Sequence, residues 1–199
     1  MGILQGLIGS RQMEKLLQTL FFLSLILSNS AIANVVNEEL TGFKKIQFNF
    51  TYQDLLLFGA TCFNSLYCTL FKEDVNGMTF LNQPVLSPRK NSNENIMPVP
   101  EFRVYFSEIS PYNVAEIHVY VNLSGSKVTE TLTTSLGPSI KWLDWEYWFF
   151  SNGAMISTYN PEDNFFPSKT LYRPASQAYK SFAQIMPKSL KPSIIPSDF

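Results

Sequence analysis

The chain has 199 residues, 45% hydrophobic and 15% aromatic, with 15 Lys and Arg against 16 Asp and Glu, a net charge of −1. The charges are scattered, so the clustered cations that neutralise phosphates are missing and a nucleic-acid surface is excluded. With only 16% charged residues beside so many aromatics, the chain can bury a real core and is not disordered.

Residues 1–33 follow the order of a secretory signal. Arg11 and Lys15 precede an apolar run over 16–27, then come Ser28, Asn29 and Ser30, then Ala31-Ile32-Ala33, with small residues at the −3 and −1 positions of a cleavage site. We take Met13 as the true start, because Met13-Glu14-Lys15 begins a signal of conventional length. The competing reading is an uncleaved membrane anchor, which needs about 20 predominantly apolar residues; Gln18, Thr19, Ser24 and Ser28 dilute this run. No later stretch is long and apolar enough to span. The expected organisation is a signal over 1–33, one β-rich domain over 34–186 and an extended Pro-rich tail over 187–199, in a secreted or periplasmic protein with no membrane span after cleavage. Export makes a disulfide the expected state of Cys62 and Cys68, the two cysteines of the chain.

Residues 43–52 alternate, placing Ile46, Phe48, Phe50 and Tyr52 on one face, which predicts a half-buried strand. A cap-like start over 51–54 and the spacing of Leu55, Phe58, Cys62 and Leu66 then predict a helix over 55–71, against the opposing preference of Gly59, Thr61 and Thr69. Residues 76–100 are punctuated by Gly77 and four prolines and read as a long loop holding a short strand at 78–81. Phe102, Val104 and Phe106 mark a second strand. Ala115, Ile117, Val119, Val121 and Leu123 mark a third, and the Thr-rich residues 127–134 a fourth, giving an antiparallel meander. Asn152-Gly153 predicts a type I′ hairpin with both turn residues at positive φ and arms over 145–151 and 154–159. Pro174 opens an amphipathic helix through Ala175, Ala178, Tyr179, Phe182 and Met186, expected to pack on the sheet and closed by Pro187. The fold class that follows is mainly β or α+β: an antiparallel sheet or sandwich with one or two helices packed on it.

His118 is the single histidine, so metal sites built on two imidazoles are excluded, and alternation sets it on a polar strand face with Glu116 and Tyr120. It is expected to face solvent. No Gly-x-Ser-x-Gly elbow, phosphate loop, dinucleotide fingerprint or zinc-ligand set occurs, and no catalytic residue, cofactor or metal is expected. Asp163 with Asn160, Glu162 and Asn164 offers oxygen ligands without EF-hand spacing. Asn49-Phe50-Thr51 and Asn122-Leu123-Ser124 match the glycosylation sequon.

Residues 142–150 hold all three tryptophans. As a continuous strand they would set Trp142, Asp144, Glu146 and Trp148 on one face and Leu143, Trp145, Tyr147 and Phe149 on the other. Aromatic platforms beside carboxylates suit sugar binding or glycoside hydrolysis. Acids two apart on a strand are only about 7 Å apart along it, however, and core packing is the preferred role. The candidate binding residues are Trp142, Asp144, Trp145, Glu146 and Trp148.

The functional expectation is an exported, non-enzymatic protein serving in protein recognition or envelope structure, with a protein partner or self-association. The alternative is a carbohydrate-binding or glycoside-hydrolysing protein using residues 142–150. The exposed apolar contact area is expected from those same residues and the Pro-rich tail.

Overall fold

The computed structural model describes residues 35–63, 66–71, 74–87, 102–107, 113–161, 167–177 and 187. The expected signal, the residues around Asp163, the tail after Pro187 and all but the first turn of the helix after Pro174 lie outside them; residues 175–177 are helical. Among the described residues, no helix is long and apolar enough to cross a membrane.

The fold is α+β and dominated by strands. In chain order come β1 (Val35–Val36), β2 (Gly42–Phe43), β3 (Ile46–Gln47), α1 (Tyr52–Leu57), β4 (Thr61–Phe63), β5 (Tyr67–Thr69), β6 (Thr79–Phe80), β7 (Gln83–Pro84), β8 (Arg103–Phe106) and β9 (Val114–Val121). Then follow α2 (Gly125–Leu136), β10 (Ile140–Trp142), β11 (Trp145–Phe150), β12 (Met155–Tyr159) and β13 (Ser168–Arg173). Nine strands form one sheet in the order β1-β11-β12-β13-β9-β8-β5-β4, with β10 also on β11; β2–β3 and β6–β7 are separate two-stranded pairs. Among the described residues only β1 runs parallel to its neighbour in the large sheet.

The expected strand over 43–52 is instead a hairpin followed by a helix start. Phe43 pairs with Ile46 across a two-residue turn in which Lys44 has φ 55°, and both apolar side chains enter the core. Tyr52 is drawn out of the alternation by a capping box. The Thr51 N–H donates to Asp54 Oδ2 at 2.7 Å, and Thr51 Oγ1 accepts from the Asp54 N–H at 3.4 Å. The helix so begun ends far earlier than expected. Gly59, at φ 98°, donates to Leu56 O and Ala60 to Leu55 O, the paired bonds of a Schellman stop, and β4 and β5 follow. Cys62 and Cys68 are direct cross-strand partners there and form a disulfide. The small loop it closes is worth about 2 kcal/mol in the chain-entropy account.

The Thr-rich stretch expected as a fourth strand is helix α2, and β9 pairs with β13 in its place. Ser124 caps α2 by accepting from the Lys127 N–H at 3.3 Å. Val128 and Leu132, four apart, are buried against the sheet, while Thr131, Thr134 and Ser135 return their hydroxyls to carbonyls one turn earlier. Gly125 is required by close approach, since a Cβ there would lie 2.4 Å from the Tyr159 carbonyl oxygen.

The β11–β12 hairpin forms where Asn152-Gly153 predicts it, with a different turn. Gly153 alone has positive φ, at 78°, and its N–H donates to Phe150 O, so a type I turn followed by a left-handed glycine closes a three-residue loop. The primed geometry belongs to the β6–β7 hairpin, where Leu81 and Asn82 have φ 51° and 62°.

The sheet's first face carries Val104, Ile117, Val119, Trp148, Ile156 and Tyr172 into one apolar core. Leu55 of α1, α2 and the two small hairpins complete that core. Residues one position out of phase point to the second face, which carries the polar chemistry.

Candidate functional site

The segment expected to be one strand is broken at Leu143 and Asp144. Leu143 has φ 52°, β10 ends at Trp142 and β11 begins at Trp145, so those two tryptophans sit opposite each other on the second face. Glu146 and Trp148 point to the first face and are buried. Trp148 Nε1 donates to Gly137 O at 3.0 Å, and Glu146 accepts from Ser139 Oγ at 2.5 Å. Asp144 is exposed in the turn. The five candidate residues therefore do not share a cleft, because a two-residue turn resets the alternation that placed them together.

His118, expected in solvent, is 8% exposed. Its Nε2 meets one oxygen of Glu116, and Arg173 Nε meets the other, tying β9 to β13. A second guanidinium nitrogen, Nη1, donates to Ser157 Oγ at 3.2 Å. Burial pushes Glu116 up, but the His118 hydrogen bond and the Arg173 charge more than offset it and leave the carboxyl below its usual range. Burial also holds His118 below the usual imidazole range, against the pull of Glu116. The neutral ring therefore donates Nε2–H to the carboxylate and keeps Nδ1 unprotonated.

Two aromatic runs flank this cluster on the same face. Toward β4, rings meet strand by strand: Phe63 stacks on Tyr67 at 5.3 Å between centroids, and tilted contacts follow, Tyr67 with Tyr105 at 5.6 Å and Tyr105 with His118 at 4.6 Å. The Arg103 guanidinium lies 5.1 Å above the Tyr67 ring. Toward β10, the register sets Trp142 opposite Trp145, Trp145 opposite Tyr159 and Lys169 opposite Tyr120. The rings of Trp145 and Tyr159 are 5.2 Å apart.

Sequence reasoning missed Arg103, Tyr159, Lys169 and Arg173. Alternation within β8, β12 and β13 would place them on one side of each strand, but their meeting depends on two successive strand pairings, β8 on β9 and β9 on β13, that bring together residues 70 apart in the chain, Arg103 and Arg173.

Of the large exposed apolar side chains among the described residues, Leu143, 70% exposed, lies in the β10–β11 turn, and the others gather elsewhere. Leu57 is 88% exposed, Leu66 57%, Phe63 43% and Leu56 39%, on α1 and the β4–β5 hairpin beside it. An open depression of 410 Å³ beside Lys44 and Lys45 is floored by Phe58 and Met78. Asn49 and Asn122, the sequon residues, are exposed. Among the described residues no group of His, Cys, Asp and Glu is arranged to hold a metal ion. No protein-family model, curated protein or solved structure matches this chain.

Proposed function

We propose that this chain is an exported, non-catalytic recognition protein that engages a protein partner, or a second copy of itself, along the β4 edge of its sheet. The observation carrying this reading is the concentration of Leu56, Leu57, Phe63 and Leu66 at that edge, where β4 pairs with β5 on one side and with no strand on the other among the described residues. An open strand edge offers backbone donors and acceptors to an added strand, and exposed leucine and phenylalanine supply the apolar area that makes such an addition stable. Arg103 and Tyr67, just inside the edge, are residue types enriched where partners are anchored.

Export is supported by the charged, apolar, small-residue order of residues 1–33 and by the cross-strand disulfide, a bond that persists in oxidising compartments. A non-catalytic role is supported by the pairing of Glu116: both of its oxygens are engaged, one by the single histidine.

Sedimentation equilibrium on the purified protein, with capture from its host's envelope fraction as a second arm, tests the reading. Association is expected in one arm, and the paired substitution Leu57→Asp and Phe63→Asp should abolish it. A strict monomer that captures nothing, or an association indifferent to both substitutions, overturns the reading.

A further inference from the structure

The opposite end of the sheet carries a second surface, independent of the β4 edge. Trp142, Trp145, Tyr159, Lys169 and Tyr120 come from five adjacent strands and lie in one row across the second face. Strands about 4.8 Å apart make this row about 19 Å long. All five side chains are half-buried, holding rings and ammonium in place while leaving part of each at the surface. The Lys169 carbonyl accepts from Thr158 Oγ1, while its ammonium has no hydrogen bond or ion pair among the described residues. Burial is the largest influence disfavouring the Lys169 charge; the nearby Glu116, whose oxygens are engaged by His118 and Arg173, pulls the other way, and the charges of Arg173 and Arg103 add to the first effect. Asp144, the acid at the far end of the row, is exposed in the turn beyond Trp142.

We propose that this row binds an acidic polysaccharide, with a sugar carboxylate on Lys169 and successive sugar rings on Tyr159, Trp145 and Trp142. Two features select that ligand class. A half-buried ammonium that no carboxylate among the described residues bonds directly attracts an anion and forms charge-assisted hydrogen bonds to it. Flat aromatic rings repeated at strand spacing give the apolar C–H faces of sugars a platform, and leave their hydroxyls in water. The ligand's charged group lies at the Lys169 end, because Asp144 repels it from the other. Trp142 and Trp145 keep the role that residue type suggests, whereas Glu146 and Trp148 take no part.

Affinity electrophoresis of the purified protein in gels containing polygalacturonate, neutral hydroxyethylcellulose or polyglutamate tests this. Polygalacturonate should retard the protein most. Lys169→Met and Trp145→Ala should each weaken that retardation by about tenfold, and Trp145→Phe should recover part of it. Lys169→Met should leave any weak retardation by hydroxyethylcellulose unchanged. Circular dichroism establishes that each variant is folded, and Lys169→Met, at a half-exposed position, carries the test if Trp145→Ala unfolds. No retardation by polygalacturonate, equal retardation by polyglutamate, or retardation that survives Lys169→Met overturns the proposal. Leu57→Asp, at the other edge, should change nothing here.

Discussion

On one side of β9, Ile117, Val119 and Val121 have no exposed surface and belong to the apolar core; on the other, His118 is 8% exposed and bound to Glu116, which also holds Arg173. Both sides of this strand are largely removed from water, by different chemistry. The apolar side gains from burial itself, roughly in proportion to the area removed from water. On the polar side burial is unfavourable until each charge has found a partner, and the network then behaves as a unit. Alternation in a sequence thus identifies which side of a strand is polar and says nothing about whether that side meets water.

Removing one large group from each side would sharpen this contrast. Trp148→Ala on the first face should be the more damaging, at about 4 kcal/mol, because it deletes a side chain only 1% exposed and its bond to Gly137 O. Urea unfolding should show a lower midpoint with the slope unchanged. A loss under 1 kcal/mol would mean that this end of the core repacks freely.

Arg173→Met on the second face should cost about 3 kcal/mol, by leaving Glu116 inside the protein without its guanidinium. The distinction between the faces lies in the second step. Adding Glu116→Leu to Arg173→Met should recover part of the loss, because it removes the stranded charge, whereas a second truncation beside Trp148 should only deepen the damage. A double-mutant cycle on Glu116 and Arg173 measures the coupling, and strictly additive losses would contradict a shared network.

The smallest effect should be that of acid. His118 and Glu116 both sit below their ordinary values of 6.5 and 4.5, so the folded chain binds fewer protons than the unfolded one. Their contribution is therefore fully present above the ordinary histidine value and is lost as pH falls through the two folded-state values. Unfolding midpoints measured down a pH series should decline first through His118 and then through Glu116, and His118→Gln should flatten the upper part of that decline. Stability that rose on mild acidification would reverse the assignment of a neutral His118.

The legible elements are those decided by short-range chemistry. The β11–β12 hairpin follows from alternating apolar arms around Asn152-Gly153, since a left-handed glycine is needed wherever the loop is that short. The disulfide follows from two cysteines that end as direct strand partners. The strand preference of threonine predicts a strand over residues 127–134, where a helix forms. Ser124 as a cap and the helical spacing of Val128, Leu132 and Leu136 carried the opposite message, and burial of that face decided it. The break at Leu143 was not legible: a left-handed leucine is disfavoured locally and is held by the pairing of β10 with β11 and by the Asn160 N–H donating to the Asp144 carbonyl. That one turn separated Trp142 and Trp145 from Glu146 and Trp148.

The sequence by itself determined the class of fold, the strand marked by Ala115 to Leu123 that forms over Val114–Val121, the hairpin at Gly153 and the cysteine pair, because each depends on residues near one another in the chain. Tertiary structure decided which polar side chains meet and which aromatic rings line up. Arg103, Glu116, Ser157, Lys169 and Arg173 come from four strands, and their juxtaposition is a matter of strand order and register. Register is fixed by the buried face as a whole, since a slip of one residue would exchange the core side of a strand for its polar side. No local pattern contains that information, and both proposed binding surfaces arise from it.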